Sequence, residues 1–170
     1  MQEHIHAAKR SRIIGQSFFI WLFVAFQIGL NIFAISMGLT SGRISAMILI
    51  NALLSMITAP AVFLFLKYYK HSIGKKFVIT YNSLKFIDEK KGEVTEIKNS
   101  DIEKIYLVVN PKMSRLPWLF HEYFAFIDNK QNKIIVTSYF MDISEFWLDS
   151  LTRKVSSDKL IREEKRYPII

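Results

Sequence analysis

The chain has 170 residues, a formal charge of +8, an apolar fraction of 51% and no cysteine. This length permits one domain, or a small domain joined to a membrane element. The lack of cysteine excludes disulfides, thiolate catalysis and cysteine-ligated metal sites. Residues 77–170 hold 15 basic and 14 acidic residues, so the positive excess belongs to the first 76. A nucleic-acid-binding domain would carry that excess itself.

Two long uncharged runs dominate the first part of the chain. One lies between Arg12 and Arg43 and the other between Arg43 and Lys67. Each exceeds the roughly 20 residues that cross a bilayer. We therefore predict a hairpin of two transmembrane helices, at 13–37 and 44–66. A cleaved signal peptide would have a shorter apolar region and no second span.

Basic residues flank this hairpin on one side. Three of them lie in a basic N-terminal segment, 1–12, which we expect to be disordered, and four lie in a juxtamembrane linker, 67–76. Basic residues accumulate at the cytoplasmic ends of membrane spans. This predicts a multi-pass protein of the inner (cytoplasmic) membrane with both termini in the cytoplasm.

Four polar side chains lie inside the predicted spans. Gln27 and Asn31 share a face of the first helix, and Asn51 and Ser55 share a face of the second. If the hairpin turns near Ser41, Asn31 lies opposite Asn51 and Gln27 opposite Ser55. We predict an interhelical polar seam of hydrogen bonds. The alternatives are a seam for a partner helix, a homo-oligomer or a conduction path, although no ionisable residue lies in either span to serve transport.

From Phe77 the apolar period changes to two, which is typical of strands. Six strands are predicted, at 77–81, 84–87, 94–97, 102–109, 123–127 and 133–137. Asp142 and Glu145 form a capping box for an amphipathic helix that would close over the sheet. The predicted domain covers 77–155. A charged tail follows at 156–170, expected to be partly helical with its last four residues loose.

Segments 77–86 and 99–105, with the strand pair that leads into the helix at Asp142, resemble bacterial PH-like membrane proteins, especially the YcxB-like group. The stretch 100–105 carries most of the likeness. The resemblance implies a membrane α+β protein of the bacterial inner membrane. In it, a two-helix transmembrane hairpin precedes a cytoplasmic PH-like antiparallel β-barrel or sandwich, closed by a C-terminal amphipathic helix.

The resemblance does not imply a lipid headgroup site. Phosphoinositide-binding PH domains place several basic residues in the loop between their first two strands. Here we assign that loop to Asn82 and Ser83, which are uncharged, and acidic neighbours offset Lys90 and Lys91 in the next turn. The fold alone does not supply a function.

Catalytic and metal-binding patterns are weak. The sequence has no glycine-rich phosphate loop, nucleophile elbow or helical metal pair. His4 and His6 are spaced for one face of a strand but lie in the segment expected to be disordered, and His71 is isolated. His121 beside Glu122 lacks a nucleophile and an orienting group. We expect no enzyme, no metal, no cofactor and no small-molecule substrate.

The longest predicted loop, 111–121, joins two strands and combines basic with apolar residues. Long loops in compact domains are often functional. Three interpretations stay open: a plug folded onto its own barrel, an insertion into the bilayer interface with basic residues on anionic headgroups, or a protein-binding surface. The candidate contact residues are Lys112, Arg115, Leu116, Trp118, Leu119 and Phe120.

These features favour a non-enzymatic inner-membrane scaffold or interaction protein. Its predicted partners are the lipid bilayer and another protein or a second copy, without nucleic acid. The alternative is an immunity or superinfection-exclusion protein that protects the cell from a membrane-active toxin or invader. A channel would require oligomerisation, because two helices cannot enclose a pore.

Overall fold

The structure, a computed structural model, describes residues 4–38, 40–111, 120–141, 157–165 and 167–170. Within these residues, two α-helices and eight strands follow one another: β1 (His4–Ala7), α1 (Arg10–Ser36), α2 (Ser41–Ser72), β2 (Lys75–Ile79), β3 (Ser83–Asp88), β4 (Glu93–Lys98), β5 (Ile102–Val109), β6 (Tyr123–Asp128), β7 (Lys133–Thr137) and β8 (Leu160–Glu164). The predicted combination of two long apolar helices with a set of strands is confirmed.

The two helices, α1 and α2, are each long and apolar enough to cross a membrane. Only 6% of the most apolar window of α1 and 22% of that of α2 are buried. A core helix of a soluble protein would be mostly buried instead. The outward side chains are large and apolar: Ile48, for example, is 67% exposed. Contiguous apolar surface of this kind marks a binding or membrane-contacting region.

The hairpin turns tightly and its second helix is long. Thr40 caps α2 by accepting a hydrogen bond from the backbone N–H of Arg43 at 3.4 Å, and the Arg43 guanidinium donates to the carbonyls of Met37 and Gly38. Helix α2 continues past Leu66 through most of the predicted 67–76 linker and ends at Ser72.

The residues before the hairpin form part of the domain. The first sheet has the order β1-β2-β3-β4, and β1 pairs antiparallel with β2, His4 opposite Ile79 and Ala7 opposite Lys76. The expectation that this segment is disordered is therefore wrong at His4–Ala7. The hairpin is an insertion between the first two strands of the sheet. Consequently the turn at Asn82 joins the second and third strands, not the first two as the sequence suggested.

The second sheet has the order β7-β6-β5-β8. Strand β5 pairs antiparallel with β6 and parallel with β8. In the tail that was expected to be partly helical, Ser157–Lys159 form a short 3-10 helix and Leu160–Glu164 form a strand instead. The described strands form two separate four-stranded sheets rather than the closed barrel that was one of the expectations. The amphipathic helix predicted from Asp142 to Val155 lies outside the described residues.

Alternation along the strands places two cores on the two faces of the second sheet. Between the sheets lie apolar side chains such as Phe77, Leu84, Phe126 and Val136. The opposite face is covered by the hairpin: Val108, Tyr123 and Ala125 pack with Ile13, Tyr68 and Tyr139. Full burial of a large apolar side chain contributes about 1.5–3 kcal/mol. The hairpin thus belongs to the core of the domain.

Candidate interaction site at the base of the hairpin

The ends of both helices nearest the domain pack against the second sheet. We call this region the hairpin base and define it by Ile13 and Gln16 of α1 with Tyr68, His71 and Ser72 of α2. Ile13, Tyr68 and Ser72 are buried. Within each helix the later residues lie three or four positions after the first, a spacing that places them on one face. Both helices therefore present a single face to the domain.

On the α1 side, Ser138 connects the helix to the second sheet. Its Oγ lies 2.9 Å from Gln16 Oε1 and 2.8 Å from the carbonyl oxygen of Phe120. The Gln16 amide in turn donates to the Ser138 carbonyl at 3.3 Å. Sequence reasoning missed this pair, because the two residues are 122 positions apart and neither belongs to a motif.

On the α2 side, the last helical turn contacts β7. His71 Nε2 is 2.9 Å from the carbonyl oxygen of Ile135, and Ser72 Oγ is 2.7 Å from Thr137 Oγ1. The His71 ring also stacks on Phe86 of β3, with centroids 5.4 Å apart. The end of α2 therefore touches both sheets. These three contacts hold the end of α2 against the domain.

An aromatic cluster fills the centre of the hairpin base. The Tyr68 ring lies edge-on to His121 at 4.9 Å, to Tyr139 at 5.9 Å and to Tyr123 at 6.4 Å between centroids. His121 Nε2 is 3.1 Å from the Tyr139 hydroxyl. Burial raises the pKa of the Tyr139 hydroxyl well above its ordinary value. Tyr139 stays protonated and serves as a hydrogen-bonding core residue rather than as a base.

Residues 167–170 are held against this cluster. The Tyr68 hydroxyl donates to the carbonyl oxygen of Pro168 at 2.9 Å, and the Tyr123 hydroxyl donates to that of Ile169 at 3.4 Å. Pro168 is buried, and Ile170 packs against the same cluster. The expectation that these four residues are loose is wrong, because two tyrosines fix their backbone.

The structure brings the four residues of the predicted polar seam together. Asn31 and Asn51 exchange two amide hydrogen bonds, of 2.9 and 2.8 Å. The Gln27 amide donates to Asn51 Oδ1 at 3.1 Å and to Ser55 Oγ at 3.3 Å. Thr58, which sequence reasoning missed, donates to Gln27 Oε1 at 3.2 Å. Thr58 is seven residues after Asn51, on the same face, so the helical period could have found it.

Positive charge collects around the hairpin base. Lys75 pairs with Asp88 at 3.5 Å and Lys76 with Glu89 at 2.5 Å. Five further cations near the hairpin base have no carboxylate within ion-pair distance in the part of the chain that the structure describes. They are Lys9, Arg10, Arg12, Lys67 and Lys70. Such a set can meet anionic headgroups beside an apolar helix.

The predicted contact loop lies largely outside the described residues, which include only Phe120 of its six candidates. The other five are Lys112, Arg115, Leu116, Trp118 and Leu119. Phe120 is exposed. The two described ends of the loop meet, since the Asn110 amide donates to the His121 carbonyl at 3.2 Å. The loop therefore leaves and re-enters the second sheet beside the hairpin base.

The histidines considered as metal ligands are dispersed. His4 and His6 lie on β1, where His6 is partly covered by Phe77. Burial first, and then nearby positive charge, lowers the pKa of His6. His71 and His121 lie at the hairpin base. Within the described residues, no three potential ligands among His, Asp and Glu come close enough to hold a metal ion.

A polar cleft of about 660 Å³ lies at the end of the first sheet remote from the hairpin. Ser83 Oγ donates to Glu96 at 2.6 Å, and this hydrogen bond is the main cause that lowers the pKa of the Glu96 carboxyl. The Asn99 amide donates to the carbonyl of Tyr81 at 2.9 Å. These groups bond to one another, so the cleft is a surface feature of the strand ends.

A comparison with known families adds to this geometry. The family described as PH domain matches residues 5–147, which is more than half of the chain. The chain belongs to the PH domain family. The match begins within β1 and includes both helices, so in this PH domain the hairpin lies inside the family's own extent. No curated protein and no solved structure matches the chain.

Proposed function

We propose that this PH domain protein is a non-enzymatic scaffold of the bacterial inner membrane, of the YcxB-like kind, which presents its domain to the cytoplasm and binds another protein there. One observation carries the proposal: an exposed apolar hairpin is inserted between β1 and β2 and is hydrogen-bonded to the domain at its base. The hairpin would anchor the domain and set its position at once.

Membrane insertion is supported by what the helices expose. A hydrocarbon core about 30 Å thick needs about 20 apolar residues, and α1 and α2 have 27 and 32 residues. Their polar side chains bond to each other across the hairpin. Apolar side chains point outwards from the hairpin. Such a surface is favourable in contact with lipid and unfavourable in contact with water.

The distribution of charge supports the orientation. Five cations without a carboxylate partner among the described residues surround the hairpin base, whereas the opposite end of the hairpin carries only Arg43. By the positive-inside rule, the base and the domain face the cytoplasm.

A binding role fits the fixed placement of the domain. A flexible linker lets a domain explore a volume whose radius grows with linker length, whereas both helices here contact the second sheet directly. The described polar clusters also bond internally rather than converge on a cavity. No observation favours the protective role over this one.

Photo-crosslinking in native membranes would test the proposal. A crosslinking amino acid replaces Val94 or Tyr81, both exposed on the domain, or Ile48 on the hairpin as the matched control. We expect a discrete protein adduct from a domain position and only lipid adducts from Ile48. If the predicted loop contributes to binding, Trp118→Ala reduces the protein adduct.

Two results would contradict the proposal. If no exposed position of the domain gave a protein adduct, the scaffold role would be contradicted. Adducts with soluble proteins from Ile48 would show that the hairpin is not in lipid.

A further inference from the structure

Residues 167–170 present two different sides. Pro168 is buried and Ile170 packs on the hairpin base, while Tyr167 is 42% and Ile169 53% exposed. The backbone N–H of Ile169 donates to the Tyr167 carbonyl at 2.9 Å, which makes a γ-turn centred on Pro168. This turn sets Pro168 against the protein and leaves the side chains on either side of it exposed. The outward face is apolar, and the hydrogen bonds from Tyr68 and Tyr123 fix its backbone.

The depth of the 167–170 segment in the membrane follows from the position of Tyr68 along α2. With a rise of about 1.5 Å per residue, a hydrocarbon core of about 30 Å that begins near Ile44 ends near Leu64. Tyr68 lies one helical turn further, within the headgroup layer, which is about 5–8 Å thick on each side. Side chains on a helix lean towards its N terminus, which for α2 is the direction of the apolar stretch. The Tyr68 hydroxyl therefore holds Pro168 at the level of the headgroups.

The neighbouring residues have the composition of a membrane interface. Lys67 and Lys70 are exposed on α2 beside Tyr68. Phe120 is also exposed, and its backbone reaches Gln16 of α1 through Ser138. Tyrosines and other amphipathic or basic side chains concentrate at this level of a bilayer. An exposed isoleucine at this level gains by leaving water.

We infer that residues 167–170 form a third membrane contact, in which Tyr167 and Ile169 enter the lipid interface beside α2. The inference rests on the proposed membrane insertion of the hairpin. It makes the bilayer the occupant of this apolar face, rather than a protein. The first two contacts are the helices α1 and α2, which reach the second sheet through the hairpin base. The 167–170 segment would add a separate connection between this sheet and the membrane.

Spin labelling can test this directly, because the chain has no cysteine and single-cysteine variants need no background changes. Ile169→Cys, Ile48→Cys and Tyr81→Cys carry a nitroxide in nanodiscs of phosphatidylethanolamine and phosphatidylglycerol. Collision rates with oxygen, which enriches in lipid, are compared with those of a water-soluble nickel chelate. Ile48 marks the hydrocarbon core, and Tyr81, 66% exposed on the remote turn, marks water.

We expect nickel accessibility at Ile169→Cys to be several-fold lower than at Tyr81→Cys, with oxygen accessibility higher. Nickel accessibility equal to that of Tyr81→Cys, with Ile48→Cys still protected, would overturn the inference and leave the proposed function intact. Low accessibility to both reagents would mean that protein covers the segment, which also overturns it. Nickel access at Ile48→Cys would overturn the inference together with the membrane insertion.

A second pair of variants tests whether the hydrogen bond from the Tyr68 hydroxyl, and not apolar packing alone, holds the 167–170 segment in place. Tyr68→Phe removes the hydroxyl that holds Pro168, whereas Tyr69→Phe changes the exposed neighbour and is the matched control. In the Ile169→Cys background, we expect Tyr68→Phe to raise nickel accessibility and Tyr69→Phe to leave it unchanged. Equal values for both variants would contradict the proposed role of Tyr68.

Discussion

Asn31 and Asn51 form a reciprocal contact, since each amide both donates to and accepts from the other. Inside a bilayer, such interhelical hydrogen bonds contribute on average about 0.6 kcal/mol and at most about 1.7 kcal/mol. The pair also has Gln27 beside it. Replacing either asparagine breaks both bonds at once.

We expect Asn31→Leu and Asn51→Leu each to lower the free energy of unfolding of the hairpin by about 1 kcal/mol. The double variant should lose little more than either single one, because the same pair is removed. Unfolding in mixed micelles by increasing SDS measures this. Ile48→Leu, on the exposed side of the hairpin, is the control. Single variants as stable as wild type would show that the pair does not hold the helices.

Asp128 gives the domain a dependence on acid pH. Its Oδ2 accepts from the Asn132 side chain at 2.8 Å, and its Oδ1 accepts from the backbone N–H groups of Asn132 and Lys130 at 2.7 and 2.9 Å. These bonds, that from the Asn132 side chain first, lower the pKa of the Asp128 carboxyl. The fold therefore favours the charged form. The resulting stability is present above the ordinary aspartate pKa of about 3.9 and is lost as the pH falls through the lowered pKa.

We accordingly expect Asp128→Asn to lower the unfolding temperature at pH 7, and we expect its difference from wild type to shrink below about pH 4. Thermal unfolding in detergent between these pH values measures the difference. Glu93→Gln, at the exposed first residue of β4, should show no such convergence. A difference for Asp128→Asn that is the same at every pH would be the contradicting result.

At the scale of the secondary-structure elements, the four-residue strand β1 contributes to the stability of the first sheet. It completes the edge of the first sheet by pairing with β2, and His6 covers part of Phe77. Deletion of residues 1–7 should therefore lower the unfolding temperature of the domain by several degrees while α1 remains helical. Ile5→Thr, which changes an exposed side chain but keeps the backbone pairing, is the control. Equal unfolding temperatures for the deletion and wild type would contradict the role of β1.

The elements that the sequence predicted are those with a local signal. Alternating apolar residues located the strands from β2 to β7, and uncharged length located both helices. Strand β1 was not predicted, because its four residues, His-Ile-His-Ala, alternate over too short a stretch to indicate a strand, and its partner β2 lies beyond the hairpin. Strand β8 contains three charged residues and pairs with β5 across the intervening chain, so its strand character depends on tertiary contact.

The end of α2 shows a second limit of the sequence. Lys67 ends the apolar run but does not end the helix, since lysine is a good helix former. The helix ends where Gly74 adopts a left-handed φ of 72°. The hydropathy of the sequence located the expected edge of the lipid near Lys67. The backbone conformation at Gly74 determines where the helix itself ends. The residues between them form the hairpin base, which is why sequence reasoning assigned them to a linker.

At the scale of the whole molecule, the domain and the hairpin share one core. Tyr68 and Ile13 cover Val108, Tyr123 and Ala125 of the second sheet. A variant in which a short linker replaces residues 10–72 would expose these side chains to water. We expect such a variant to aggregate or to unfold far more easily than the full chain. A soluble, monomeric and cooperatively folding product would contradict this account of the core.

The interaction site was predictable only in part. Matching depths in the two spans identified the polar seam, and the basic residues indicated which end of the hairpin meets the domain. The contacts of Gln16 with Ser138 and of Tyr68 with Pro168 join residues 100 or more positions apart. No local sequence pattern predicts such pairs, because only the folded second sheet brings their two residues together.

The central claim is that the hairpin spans a membrane and that the domain lies on the side of the hairpin base. Cysteine labelling in intact cells tests it most directly, with Gly42→Cys at the turn, where a side chain has open space, and Tyr81→Cys on the domain. We predict that a membrane-impermeant maleimide modifies Gly42→Cys in intact cells, and Tyr81→Cys only after the cytoplasmic membrane is permeabilised. Modification of Tyr81→Cys in intact cells, or recovery of the unaggregated chain from the soluble fraction without detergent, would contradict the account.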